Sequence, residues 1–222
     1  MWSFRPQKVS LVDPENALKG RSTPIESTWT HQVLQSSFTQ HDCSLPPPPS
    51  CERLIVGMGC FWGAERLFWK QEGVLFTSVG YAGGYTPNPT YQEVCSGLTG
   101  HSEVVQIDYE TDKVSLKTLL KLFWETHDPT QGMRQGNDIG TQYRSVIYYT
   151  TPGQRVEIMK SVETYQKLLD EGQVPQAMGT KISTEIKELE QYYYAEEYHQ
   201  QYLHKNPNGY CGLKGTGVTC VW

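Results

Sequence analysis

Beyond residue 51, the apolar positions of the chain repeat with two different periods. Leu54, Ile55 and Val56 form a short apolar run before a glycine, which is typical of a buried strand. The apolar residues after position 60 recur at helical spacing and stop at Gly73. Extended over the chain, the patterns predict strands over 54–56, 74–81, 102–109, 145–150 and 180–186, and helices over 61–71, 115–126, 152–171 and 195–203.

Strands and helices alternate within one unit, and the sequence carries no internal repeat of 20–50 residues. This order predicts an α+β fold of the ferredoxin-like or plait type, in which helices pack on a mixed sheet. Residues 51–206 are interpreted as the main domain. Residues 207–222 are rich in glycine and are predicted to form an irregular C-terminal tail.

Residues 1–50 show a different composition. They are rich in Ser, Thr, Gln and Pro, lack a sustained period, and end in the run Pro46–Pro49. Such a run favours extended polyproline II and makes a natural linker. The segment is therefore predicted to be a disordered N-terminal arm, with a targeting signal or a ligand for a proline-binding domain as the alternative interpretation.

Charge and composition exclude several classes of protein. The net charge of the 222 residues is −5, and the sequence shows neither a basic stretch for nucleic acid nor an apolar run of the roughly 20 residues needed to span a membrane. The first 30 residues lack the apolar core of a secretory signal. We therefore expect a cytoplasmic protein, with mitochondrial import as the alternative because basic residues are interspersed there. Six cysteines in such a chain indicate thiols, catalytic groups or metal ligands.

Cys60 lies where a predicted buried strand gives way to a helix. The first turn of a helix has unpaired N–H groups and partial positive charge, so a thiol there is expected to ionise more easily and to act as a nucleophile. Two alternatives remain. One is a dinucleotide-binding turn, which Gly57, Gly59 and Gly63 resemble, although Trp62 replaces a required glycine and residues 74–85 contain no acid. The other is an inert buried cysteine.

The motifs around Cys60 and further along the chain resemble one known family, peptide methionine sulfoxide reductase A. The resemblance covers about 170 residues in the same order. The matching segments are Gly59–Gly63, Gly80–Gly84, Asn88–Tyr91, Gly100–Val105, His127–Gln131, Gln135–Ser145 and His199–Leu203. It implies that residues 51–206 form a catalytic reductase domain.

The resemblance also implies roles for individual residues. Cys60 would attack the sulfoxide sulfur, and Glu103 would act as the acid that protonates the oxygen. The other implied residues are the phenols Tyr91 and Tyr143, which would hydrogen-bond the oxygen, Phe61 and Trp62, which would form the slot for the methyl group, and Asp138, which would fix a loop and water. From the residues alone, a solvated glutamate at a strand end is the default interpretation of Glu103, and Asp138 could equally be a turn residue.

Cys211 and Cys220 are separated by eight residues, three of them glycine, so the segment between them bends at low cost. The resemblance implies that attack leaves Cys60 as a sulfenic acid, that Cys60 pairs first with Cys211, and that Cys211 then pairs with Cys220. Thioredoxin would reduce this last disulfide. A zinc clip is the alternative, but the tight Cys-x₂-Cys spacing typical of zinc ligands is absent from the sequence.

We therefore predict an enzyme that reduces methionine S-sulfoxide, protein-bound or free, with thioredoxin as reductant and with neither metal nor organic cofactor. It is expected to be a monomer. Two alternative functions are a redox sensor without turnover and a cysteine peptidase in which His127 or His101 is the base. Cys43, Cys51 and Cys95 are assigned no role.

Overall fold

The computed structural model describes residues 9–24, 29–35, 47 and 49–220. The strands are β1 (Cys51–Met58), β2 (Val74–Ala82), β3 (Ser102–Glu110), β4 (Arg134–Gln135), β5 (Asp138–Ile139), β6 (Ser145–Tyr149), β7 (Glu185–Glu188) and β8 (Tyr192–Tyr194). The helices are α1 (Phe61–Trp69), α2 (Tyr91–Cys95), α3 (Leu116–Thr126), α4 (Pro152–Asp170) and α5 (Tyr202–Lys205). Short 3₁₀ turns cover Pro14–Asn16, Thr141–Tyr143 and Glu197–His199. Among the described helices, none is long and apolar enough to cross a bilayer.

Six strands form one sheet in the order β7-β6-β1-β3-β2-β8, and β4 and β5 form a separate hairpin. All neighbours in the sheet are antiparallel except β6 and β7, which run parallel. A mixed sheet with packed helices confirms the α+β prediction at that level, whereas the finer ferredoxin-like or plait classification stays a prediction.

The pleat of β1 divides the core between the two faces of the sheet. Leu54, Val56 and Met58 join the larger apolar cluster, to which α1, α3 and α4 contribute their buried faces. Ile55 points to the opposite face and joins a smaller cluster with Val146. Successive strand residues alternate between faces, so each apolar position of the run is buried. Complete burial of such a side chain contributes roughly 1.5–3 kcal/mol.

The antiparallel pairing of β1 with β3 positions the candidate site. Leu54 faces Ile107 and Val56 faces Val105, so the end of β1 lies beside the beginning of β3. Cys60 follows β1 directly, and Glu103 is the second residue of β3. Two residues 43 positions apart in sequence are thereby brought together at one end of two neighbouring central strands.

Helix boundaries mostly follow local capping signals. Thr90 and Glu93 form a reciprocal capping box at α2, and Ser115 and Thr151 cap α3 and α4 through their hydroxyls. The strand predicted over 180–186 is found as β7, which begins five residues later and ends two residues later. The short elements α2, β4, β5 and β8 were not predicted as helices or strands, because such brief segments carry too few periods to be recognised.

The predicted helix over 195–203 is wrong as a continuous element. The structure divides this segment into the 3₁₀ turn Glu197–His199 and the short helix α5. Gln200 turns its side chain onto β2, where it binds the N–H and the carbonyl of Val79. Gln201 has φ of +46°, a left-handed conformation that interrupts any helix.

The described parts of the N-terminal segment contact the domain, which differs from the expectation of a disordered arm. Leu18 N donates to the Leu98 carbonyl, Arg21 N donates to the Pro87 carbonyl, and Val12 is buried. Most of these contacts are made by polar groups, so the hydrophobic pattern carries little trace of them. Pro46 and Pro48 of the predicted linker, and Cys43, lie outside the described residues.

The tail is irregular over residues 207–220 and packs against the domain. Val218 and Cys220 are buried in the larger apolar cluster, and Gln176 N donates to the Thr216 carbonyl. Thr216 also shares a hydrogen bond of 3.2 Å with the hydroxyl of Tyr165 on α4. The division of the chain into arm, catalytic domain and tail stays a prediction.

Candidate active site

Cys60 lies at the N-terminal end of α1, directly after the β1 strand. The preceding Gly59 has φ of +87°, and a Cβ there would come within 2.6 Å of Gln135 Cβ, so only glycine fits this turn. The thiol is partly exposed. Burial raises its pKa above the usual range, the charge of Glu103 adds to the rise, and the N–H of Trp62 opposes it.

The prediction that this position eases ionisation is therefore wrong for the protein without substrate. The backbone N–H of the first turn does favour the thiolate, as expected of a helix terminus. Burial destabilises the thiolate by more than the hydrogen bond from the Trp62 N–H stabilises it, because the charged form is disfavoured away from water. Resting Cys60 is accordingly held as a neutral thiol.

Glu103 is fully buried beside Cys60. Its Oε2 accepts a hydrogen bond of 3.1 Å from the N–H of Phe61, the first residue of α1. Burial raises the pKa of this carboxyl to about 8, and the Phe61 N–H lowers it only in part. At neutral pH, Glu103 is therefore largely protonated, as a general acid must be before it transfers a proton.

An aromatic wall lies on the other side of Cys60. The Phe61 ring is buried, and the Trp62 indole stacks on the ring of Tyr202 with centroids 3.9 Å apart and planes 15° apart. Trp62 Nε1 donates to His199 Nδ1 at 3.1 Å. Tyr91 packs against the same imidazole, with ring centroids 4.4 Å apart. These rings give the site an apolar surface next to its acid.

The two predicted phenols belong to separate elements that converge on this site. Tyr91 is the first residue of α2, and its N–H donates to Glu196 Oε1 at 2.9 Å. Tyr143 ends the 3₁₀ turn before β6. Burial raises the pKa of both hydroxyls, and the nearby charge of Glu103 raises each further. Both phenols therefore stay protonated and available as hydrogen-bond donors.

Asp138 lies in the β4–β5 hairpin, partly buried at the border of the site. Its Oδ2 accepts a hydrogen bond of 3.1 Å from the Tyr210 hydroxyl, and burial raises its pKa. Tyr210 precedes Cys211, so this bond ties the beginning of the tail to the hairpin. A role for Asp138 near the reacting groups is compatible with this place.

The structure brings one of the two tail cysteines to Cys60. Cys211 lies over α1, where a Cβ added to Gly63 would come 2.9 Å from its Sγ. Cys220 instead lies against α3, where its N–H donates to Glu125 Oε1 at 2.6 Å and burial raises its pKa to about 12. All five described cysteines are free thiols. Cys211 and Cys220 thus lie against different helices, α1 and α3.

The histidines weighed for a peptidase have other partners. His127 is fully buried and bonds the Phe123 carbonyl and the Ser145 hydroxyl, each at 2.7 Å. His101 bonds the Thr86 carbonyl and accepts from Gly84 N. Both nitrogens of each ring are thus engaged with groups other than Cys60, which is incompatible with a base for that thiol. The residues that the structure describes contain no group of three or more metal-ligating side chains.

Sequence reasoning missed the residues that support the site. Glu196 receives both the Tyr91 N–H and the Tyr81 hydroxyl, while His199 and Tyr202 contact Trp62. Two of them lie in the matched segment His199–Leu203, so the resemblance could have pointed to them. Glu196 carries no such signal, since a lone glutamate beside a polar turn is ordinary.

A partly exposed cysteine, a buried proton donor and a second thiol within reach form the kind of site that thiol-based oxidoreductases use. The sequence pattern of one family, described as peptide methionine sulfoxide reductase, matches residues 52–218. A peptide methionine sulfoxide reductase MsrA of Photobacterium profundum is 55% identical over 97% of this chain and 98% of the relative. One of Pseudomonas aeruginosa is 54% identical over 96% of this chain and 94% of the relative.

The chain therefore belongs to the peptide methionine sulfoxide reductase family and is an enzyme of that family, as predicted. Methionine sulfoxide reductase A of Corynebacterium diphtheriae matches the fold with a TM-score of 0.78 at 45% identity, covering 95% of this chain and 98% of that one. The reduced form of Mxr1 from Saccharomyces cerevisiae matches with a TM-score of 0.67 at 35% identity, covering 75% and 92%. Both likenesses agree with the mixed α+β architecture.

Proposed function

We propose that the enzyme reduces the S epimer of methionine sulfoxide, in proteins or free, through Cys60 and Glu103. The observation that carries this proposal is the hydrogen bond of 3.1 Å from Phe61 N to Glu103 Oε2. It holds a buried, largely protonated carboxyl beside the residue that follows the nucleophile. A sulfoxide sulfur is a poor electrophile until its oxygen is protonated or strongly hydrogen-bonded, so acid and nucleophile are needed together.

In the first step, oxygen passes from substrate to enzyme. The Cys60 sulfur bonds to the sulfoxide sulfur while Glu103 gives its proton to the oxygen, and the thiol proton replaces the one that Glu103 lost. Tyr91 and Tyr143 donate hydrogen bonds to the same oxygen. The oxygen then bonds to the Cys60 sulfur as a hydroxyl, while the S–O bond of the substrate and the transient bond between the two sulfurs break. The sulfoxide leaves as methionine, reduced by two electrons, and Cys60 remains as a sulfenic acid, oxidised by two electrons.

The methyl group of the substrate would occupy the apolar surface of Phe61 and Trp62. Exclusion of water there strengthens the hydrogen bonds made to the oxygen on the opposite side. A site that holds an apolar slot and an acid in fixed relative positions is chiral, so it accepts only one configuration at the sulfur. Each sulfoxide epimer accordingly has its own enzyme. The assignment of the S epimer rests on the family resemblance.

In the second step, the enzyme is returned to its reduced form. The Cys211 thiol condenses with the Cys60 sulfenic acid, forming a disulfide and releasing water. Cys220 then attacks Cys211, which frees Cys60 as a thiol. A dithiol protein, proposed to be thioredoxin, then reduces the Cys211–Cys220 disulfide by the same exchange and is itself oxidised to a disulfide. The place of Cys211 over Gly63 supports the first of these pairings.

A reducing compartment suits a site that works with free thiols, and we propose the cytoplasm, with the mitochondrion as the alternative. In this scheme neither a metal nor an organic cofactor takes part, since the dithiol supplies both electrons.

The test is turnover of separated R and S epimers of a blocked methionine sulfoxide with dithiothreitol as reductant. We expect the wild type to consume the S epimer alone and the Cys60→Ser variant to consume neither. Cys51→Ser, a partly exposed cysteine at the far end of β1, is the matched control and should retain full turnover. Activity in Cys60→Ser, or a preference for the R epimer, would refute the proposal.

A second assay tests the recycling scheme separately. Cys220→Ser should still consume one equivalent of substrate and form a Cys60–Cys211 disulfide, but turnover driven by thioredoxin should be lost. Cys211→Ser should stop at the sulfenic acid, which dimedone would trap. Thioredoxin-driven turnover in either variant would leave the first step standing and overturn the second.

A further inference from the structure

Glu65 is a buried acid that the proposed mechanism leaves without a task. It lies on α1, one helical turn after Trp62, with its side chain entirely removed from solvent. Burial raises its pKa to about 7, although several donors surround it. A buried carboxyl of this kind is costly to keep unless it organises other groups.

Three donors converge on Glu65, and two of them come from one residue. Gln201 donates its backbone N–H to Oε2 and its side-chain Nε2 to Oε1, both at 2.9 Å. The Thr77 hydroxyl on β2 donates to Oε1 at 3.2 Å. The carboxyl therefore clamps Gln201 by main chain and side chain together and ties it to the sheet.

The clamp acts on a residue in an unfavourable backbone conformation. Gln201 has φ of +46° and ψ of 39°, in the left-handed region that residues other than glycine rarely adopt. Such a conformation persists only when the surroundings impose it. The two hydrogen bonds to Glu65 supply that constraint, and Gln201 precedes the first residue of α5.

That first residue is Tyr202, on which the Trp62 indole stacks at 3.9 Å. The conformation of Gln201 sets the direction in which Tyr202 leaves the turn. The support is therefore mutual. Glu65 of α1 holds Gln201, and Tyr202, the residue after Gln201, supports Trp62 of α1. A shift of Gln201 would withdraw the surface beneath the indole.

The N-terminal segment completes the hydrogen-bonded chain. His31 Nδ1 accepts the N–H groups of Val33 and Leu34, and burial lowers the pKa of the ring to about 4, so the proton of the neutral ring is on Nε2. Nε2 lies 2.9 Å from the Thr77 hydroxyl and donates to it. The Thr77 proton is thereby directed to Glu65 rather than elsewhere.

We infer that Glu65 is a positioning residue for the substrate slot: it holds Gln201 in its left-handed conformation and so keeps Tyr202 stacked beneath Trp62. The inference rests on the proposed use of Trp62 in binding the methyl group. It assigns Glu65 a task that acts through other residues, without contact to the substrate.

The Glu65→Gln variant tests this inference. A glutamine offers one acceptor oxygen where three donors converge, so Gln201 loses at least one bond. We expect the KM for the sulfoxide to rise about tenfold with little change in kcat, the equivalent of one hydrogen bond lost from the support of the slot. The near-ultraviolet circular dichroism should change with it, because the Trp62–Tyr202 stack is disturbed.

Two further variants separate positioning from general stability. Gln201→Gly in the Glu65→Gln background should return KM to within about threefold of wild type, since glycine adopts the left-handed conformation without a clamp. Asp108→Asn is the matched control: it removes another buried carboxylate, paired with Arg53 at 2.7 Å and five residues along β3 from Glu103. It should lower Tm and leave KM unchanged.

The spectroscopic change gives a readout that is independent of activity. The difference between Glu65→Gln and wild type should disappear when both carry Trp62→Phe. An unchanged KM and spectrum in Glu65→Gln, or an equal rise of KM in Asp108→Asn, would overturn the inference. Failure of the wild type to reduce any methyl sulfoxide would instead refute the proposed function. The circular dichroism of Glu65→Gln and wild type would then still show whether Glu65 holds the Trp62–Tyr202 stack in place.

Discussion

The Glu103→Gln variant is expected to lose activity and gain stability at once. Glutamine keeps an oxygen that can accept the Phe61 N–H, so the local geometry is preserved. It lacks the proton that the sulfoxide oxygen requires, and loss of a general acid costs roughly 10²–10⁴-fold in rate. It also prevents the carboxylate charge that Glu103 would acquire at this buried position as the pH rises, which removes a cost to the folded state.

The size of the stability gain follows from the pKa of Glu103, which burial raises from 4.5 to about 8. Between these values the folded protein binds more protons than the unfolded chain, so the free energy of unfolding of the wild type falls as pH rises. One pKa unit corresponds to about 1.4 kcal/mol, so the penalty is on the order of 3 kcal/mol at pH 7 and grows until about pH 8. Below pH 4.5 the carboxyl is neutral in both states and the penalty vanishes.

The assay is urea unfolding of both proteins from pH 4.5 to 8.5, together with single-turnover reduction of a methyl sulfoxide. The advantage of Glu103→Gln over wild type should grow with pH across this window. Glu163→Gln, which makes the same exchange at an exposed position of α4, is the matched control. A stability advantage that stays constant or shrinks as pH rises would refute the reasoning, as would a variant that retains wild-type rates.

Three further substitutions test neighbouring parts of the structure. Gly63→Ala places a Cβ 2.9 Å from Cys211 Sγ, so disulfide formation measured by thiol titration should slow while the first turnover proceeds. Arg21→Ala removes an ion pair of 2.8 Å to Glu93; because both side chains are partly exposed, unfolding should lose less than about 1 kcal/mol, but hydrogen exchange in 84–99 should quicken. Tyr143→Phe removes one of the two proposed donors to the substrate oxygen and should slow single turnover about tenfold, with no change in Tm beyond a few degrees.

The local setting of each proposed catalytic group, Cys60 and Glu103, could be predicted from sequence because it depends on short-range pattern. The apolar run 54–56 and the glycines around Cys60 specify a strand that ends in a tight turn, and the structure has both. The place of Glu103 at the beginning of β3 follows from alternation along that strand. The meeting of the two residues needed the pairing of β1 with β3, which the local pattern did not predict. The resemblance implied only that the two residues act together.

The properties that depend on burial could not be predicted in this way. The thiol pKa of Cys60 is raised although it caps a helix, because desolvation is a property of the assembled site and not of the helix terminus. The contacts of Leu18 and Arg21 with residues 84–99 use backbone groups and the Arg21 guanidinium, which leave no trace in the hydrophobic pattern. The clamp on Gln201 joins residues 136 positions apart.

A neutral resting site has a consequence for selectivity among oxidants and substrates. Burial raises the pKa of Cys60 and of Glu103 together, so at neutral pH the resting pair holds both protons. A thiolate is the form that reacts with general oxidants, so a thiol kept protonated is spared their attack. In the proposed mechanism, the sulfoxide itself brings the oxygen that accepts the proton of Glu103, and Cys60 loses its proton as the carboxyl is vacated. Full nucleophilicity would then develop only with the substrate in place, which is why the acid must lie next to the thiol and cannot be replaced by solvent.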